Sequence, residues 1–103
     1  MGGTTIYVEQ EGMSMREAFR TAQDNAREEY GSDYYNGQIN NGWLARDLTA
    51  TYNTLRTKKQ KSDFIDDKMD NADKGDVYGV CIVQPKQGNK KQGKYMFFGL
   101  VSC

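Results

Sequence analysis

Residues 32–43 read SDYYNGQINNGW and bring two tyrosines, a tryptophan and two Asn-Gly pairs together within one short stretch. Tyr34, Tyr35 and Trp43 offer flat aromatic faces, and Asn36, Gln38, Asn40 and Asn41 offer amide donors and acceptors. These are the side-chain types that hold a flat polar ligand, and they are also enriched at protein interfaces. Asn-Gly favours a type I′ turn because both residues accept positive φ. Here the two pairs leave only Gln38, Ile39 and Asn40 between them, too few for a strand pair, so a compact loop anchored by Ile39 is expected. The same aromatics can instead supply a core that is short of Leu and Ile, and both readings stay open.

Charge is segregated in two further places. Asp63, Asp66, Asp67, Asp70, Asp73 and Asp76 crowd one segment against only Lys68 and Lys74. Hard-cation binding needs oxygen ligands at regular spacing. With Asp70 and Gly75 at the first and sixth positions of a calcium loop, Ala72 and Lys74 fall where ligands belong, so no metal site is expected. A solvated helix face is the simpler reading, and Asp63, Asp66, Asp67 and Asp70 form a candidate acidic surface for a basic partner. Lys58, Lys59 and Lys61 make one basic cluster. Lys86, Lys90, Lys91 and Lys94 make a second with no acid among them. Each can hold phosphates as point charges, although lysines near hairpin edges also guard against aggregation.

Histidine is absent from the chain. That removes the usual general base, the Ser-His and Cys-His nucleophile pairs and most zinc sites. No phosphate-cradling glycine loop or nucleophile-elbow motif occurs, so the expectation is a protein without catalytic residues, cofactor or metal. Cys81 and Cys103 are the only cysteines. A C-terminal hairpin is expected to place Cys103 opposite about residue 76, roughly 17 Å from Cys81 along the strand, beyond disulfide reach. Two free thiols fit a reducing compartment, the cytoplasm.

The elements that must carry these groups follow from periodicity. TTIYVEQ alternates Ile6 and Val8 against Thr5, Tyr7 and Glu9, a half-buried strand. SMRE is a capping box that opens a helix over 15–30, with Met15, Ala18, Phe19, Ala22 and Ala26 inward and Gly31 as its stop. Leu44, Leu48, Tyr52 and Leu55 predict a second helix over about 43–57, with Trp43 at its start. Ser62 as N-cap, with Phe64, Ile65, Met69 and Ala72 on one face, predicts a third ending near Gly75. DVYGVCIVQP and KYMFFGLVSC read as a β-hairpin around a basic tip, apolar on both faces and therefore central in the sheet. The fold class expected is α+β. It is a two-layer single domain over 1–103, with a small antiparallel or mixed sheet and two to three helices packed on one face.

Leu, Ile, Val and Phe together make only 17 of 103 residues, which is low enough to raise the question of disorder. Zero formal net charge and abundant aromatics answer it in favour of a folded chain with a thin core. A thin core makes a homo-oligomer a natural way to bury more surface. The same neutrality argues against extended nucleic-acid binding. No apolar run long enough for a membrane span occurs, and the N-terminus lacks signal-peptide features.

EAFRTAQDNAREEYG leading into YYNGQI, with a closing KYMFFGLVS, resembles small accessory proteins encoded by bacteriophages and prophages. The resemblance implies a protein used during infection in the host cytoplasm, where inhibiting a defence factor or sequestering a nucleotide signal are typical roles. It assigns no residue a role. The function expected is a small non-catalytic inhibitor that binds a host protein in takeover or anti-defence. The alternatives are a module that sequesters a nucleotide-type ligand and a carboxylate- or metal-dependent enzyme.

Overall fold

The structure, a computed structural model, describes residues 3–31, 39, 42–86, 88 and 91–102. The expectations for Tyr34, Tyr35, Asn36, Gln38, Asn40, Lys90 and Cys103 lie outside those residues. The elements run β1 (Gly3–Gly12), α1 (Met15–Tyr30), β2 (Trp43–Asp47), α2 (Thr49–Asn53), α3 (Lys58–Asp70), β3 (Asp76–Val83) and β4 (Gly93–Ser102). The four strands form one mixed sheet in the order β1-β4-β3-β2, with β2 parallel to β3 and the other pairs antiparallel. The fold is α+β, as the pattern of elements implies.

The helix over 15–30 forms where its signals place it. The Ser14 side chain accepts from the Glu17 N–H at 3.1 Å, and Gly31 ends the helix at φ 88°, a left-handed conformation that glycine adopts without strain. Its small residues Ala18, Ala22 and Ala26 are buried and let the helix lie close to the sheet. Phe19 then meets Phe97 of β4 edge to face, with ring centroids 5.3 Å apart. Gln23 of this helix donates to the carbonyls of Gly42 at 2.8 Å and Ile39 at 3.3 Å.

The layering differs from the expectation of helices on one face. Successive β4 residues point to opposite sides. Tyr95, Phe97 and Val101 pack with Ile6, Phe19 and Ile39 under α1. Met96 and Phe98 pack with Leu48, Val80, Tyr52, Phe64, Ile65 and Met69 under α2 and α3. The helices therefore cover both faces, which is why β3 and β4 are apolar on both sides and central.

The helix expected over 43–57 is replaced by β2 and the short α2. Leu44 joins the α1 side of the core, whereas Leu48 and Tyr52 join the α3 side. Their helix-like spacing is thus a coincidence of two faces. Trp43 does not open a helix. It begins an edge strand, donates its N–H to the Gly75 carbonyl at 2.8 Å, and leaves 57 % of its surface exposed. The third helix starts earlier than Ser62. Thr57 accepts from the Gln60 N–H at 3.1 Å and the Gln60 side chain accepts from the Thr57 N–H, a capping box that outcompetes Ser62 as the start. The hairpin register also shifts. Val77 faces Gly99 and Cys81 faces Tyr95, with a break in register between Cys81 and Val83.

Among the described residues no helix is long and apolar enough to cross a membrane.

Candidate binding site

β1 alternates in burial. Ile6 is buried and Thr4 and Val8 are half-buried toward α1, while Thr5, Tyr7, Glu9 and Glu11 are exposed on the α3 side. α3 rests on β4 and stops short of β1, so it leaves that face of the edge strand bare. The result is an open groove of about 450 Å3 lined by Tyr7, Tyr52, Lys58, Lys61, Ser62, Ile65, Asp66 and Met69. Ile65 and Met69 give it an apolar floor. Tyr7 is half exposed, yet its hydroxyl turns inward to donate to the Met96 sulfur at 3.5 Å, which leaves the ring to the groove. Partial burial, the Glu9 charge and Tyr52 push the Tyr7 hydroxyl above the ordinary tyrosine range, so it is a neutral wall at neutral pH. The Lys61 ammonium lies 5.2 Å from the centre of the Tyr52 ring.

The groove gathers residues that the sequence places in separate classes. Lys58 and Lys61 stand at its rim, and among the described residues neither joins a salt bridge. Asp66 joins them from the acidic segment. Lys59, Asp63, Asp67 and Asp70 are exposed on α3 outside the groove. The two charge clusters therefore belong to one helix. Trp43 sits on the opposite edge of the sheet, away from this site. Lys91 pairs with Lys86 in the hairpin loop, and Lys94 reaches Glu9 at 3.5 Å. Tyr7, Tyr52, Ser62, Ile65 and Met69 were not singled out by the sequence as site residues. For Tyr7 the strand alternation does carry a signal, since it points away from Ile6 and Val8.

α3 is charged against its own dipole. Three lysines occupy its first turns, at the positive end, and Asp66, Asp67 and Asp70 its second half. None of its residues is fully buried. Replacing Asp70 by Lys removes a like charge three and four residues from Asp67 and Asp66, creates an acid-to-base pair with Asp66, and suits the helix end. The expected outcome is a gain of about 1 kcal/mol, read as a higher urea midpoint.

No cluster of three or more Cys, Asp or Glu able to hold a metal ion occurs among the described residues. Cys81 packs beside the α1 core and its thiol donates to the Val83 carbonyl at 3.4 Å. Burial holds the thiol above its ordinary value, against a lowering hydrogen bond from Tyr95; burial likewise raises Tyr95. Both groups are protonated in the fold. Their contribution to stability is complete below the ordinary values of 9.0 and 10.0 and is lost as pH climbs toward the raised ones. With no histidine to titrate, denaturation midpoints should stay flat between about pH 6 and 8 and fall only in the alkaline range. A midpoint that rises above pH 9 would reverse the sign.

No protein-family model, curated protein or solved structure matches this chain.

Proposed function

We propose that this is a small non-catalytic binding protein, phage-encoded, that inhibits a host protein by docking it across the groove beside Tyr7 and along α3. The observation that carries this reading is the bare corner itself: a half-exposed tyrosine, an apolar floor and two lysines that join no salt bridge among the described residues. A partner side chain entering the groove gains an aromatic and aliphatic pocket of the kind that anchors interfaces. Asp63, Asp67 and Asp70 on the adjoining helix surface attract basic groups and speed encounter. A helix whose charges oppose its dipole is poorly arranged for its own stability. Such an arrangement is retained where those charges serve a contact. The host as the partner's source rests on the phage resemblance alone.

A nucleotide-type ligand is the second reading. The groove is within the small-ligand size range, and two tyrosines stand beside two lysines and Ser62. Asp66 in the same wall disfavours a phosphate, and the exposed carboxylates beyond it extend the surface past any small molecule.

Capture from host lysate, with mass spectrometry of proteins and small molecules, tests both. The double variant Lys58→Glu, Lys61→Glu suits the positive end of α3 and should fold at least as well as the parent. It is expected to lose the captured partner, while Trp43→Ala and Lys91→Glu, both outside the groove, keep it. A partner retained by the double variant and lost with Trp43→Ala would move the site to the other edge.

A further inference from the structure

The two edges of the sheet are built differently. β2 is five residues long, breaks register between Leu44 and Arg46, and carries charges of both signs. Short length, a bulge and charge are the usual guards against edge-to-edge pairing. β1 is neither short nor bulged, and its only charges, Glu9 and Glu11, sit at one end. It runs ten residues from Gly3 to Gly12, pairs with β4 without a shift, and contains neither proline nor lysine. Among the described residues no backbone group bonds to its outer side. Grooves flank it on both faces: the one beside α3, and one of about 310 Å3 beside α1 that Val8, Gln10, Ala22, Ala26 and Ile39 help to line. An added strand would place its alternating side chains into one groove and then the other.

We propose that this edge is covered by a second copy of the chain, β1 against β1, antiparallel about a two-fold axis through Tyr7. Charge selects this occupant. The carboxylates of β1, Glu9 and Glu11, lie at one end, and the stretch from Gly3 to Val8 is uncharged. A parallel neighbour would set each Glu beside its own mate. Antiparallel pairing sets Glu9 opposite Thr5 and Glu11 opposite Gly3, with no like charges facing. The formal net charge of zero removes repulsion between whole copies.

Register follows from symmetry. Directly opposed residues point to the same face of a sheet, so the axis passes through a residue. Placed at Tyr7, it pairs every residue from Gly3 to Glu11. Ile6 then lies beside Val8 on the α1 side, and the two exposed Tyr7 rings meet on the α3 side, an aromatic pair of the kind that stabilises strand contacts. The two α3 grooves thereby join into one trough with the tyrosine pair at its centre, and a bound partner would be held by both copies.

Sedimentation velocity and light scattering on the purified protein should report a species of twice the 11.7 kDa chain mass. Tyr7→Lys, which sets like charges on the axis, should return it to monomer. In a background with both cysteines replaced by serine, Tyr7→Cys should link two copies through a short thiol cross-linker. Thr5→Cys, which faces Glu9, should not. A monomeric parent at high micromolar concentration overturns the proposal and leaves the edge to another chain. So does a dimer that Tyr7→Lys does not weaken, or one that links through Thr5→Cys and not Tyr7→Cys. Tyr7→Cys removes the tyrosine without adding charge, so its cross-link pattern stands even if Tyr7→Lys fails to fold.

Discussion

Replacing Phe97 by alanine is expected to lower the unfolding free energy by about 3–5 kcal/mol, the range for removing a core aromatic. Phe97 is fully buried at the centre of β4 and meets Phe19 edge to face. It is the contact through which α1 closes over the sheet. In a chain with so few aliphatic residues the loss falls on a core with little to redistribute into the void. The check is a pair of urea melts, with a lower midpoint and an unchanged slope. A loss under about 1 kcal/mol, the size of a surface change, would mean that α1 does not pack on β4 as described.

Gly75→Ala is expected to cost at least about 2 kcal/mol. Gly75 has φ 96°, and holding a side chain in that region costs roughly 1–3 kcal/mol. A methyl group there would also run into the Trp43 ring, which lies directly over the glycine. The ring would have to move, and the first residue of β2 with it, because the Trp43 N–H bonds the Gly75 carbonyl. Trp43 is the sole tryptophan, so its emission reports the displacement as well as the melt. An unchanged spectrum with a cost under about 0.5 kcal/mol, within the surface range, would show that the ring does not cover this turn.

How much the sequence discloses depends on whether the determining contacts are local. α1 was legible because its cap, its small inward residues and its terminal glycine all lie within its own span. The start of α3 was legible in principle, since Thr57 and Gln60 have capping-box spacing, but Ser62 before Asp63 offered a second start. β2 was not legible. Leu44, Leu48 and Tyr52 show helical spacing, and only parallel pairing with β3, a contact across about thirty residues of chain, assigns Leu44 to one face and the others to the opposite one.

For the site, the residue types were legible and their grouping was not. Lys58, Lys61 and Asp66 stand out by charge. Tyr7 and Tyr52 join them only because β1 lies beside β4 and α3 crosses the same face. The division of helices between the two faces was hidden for a similar reason: a strand apolar on both sides shows that both are covered, not by which helices.

Partner binding is proposed at the open corner formed by Tyr7, Tyr52 and α3. Amide hydrogen exchange on the purified protein, alone and in complex with the captured host protein, tests it most directly. Docking at this corner should add protection across residues 58–69, with smaller gains around Tyr7 and Tyr52, and little change at Trp43 and the rest of β2. Protection confined to β2 or the hairpin loop, with α3 exchanging as in the free protein, would contradict it.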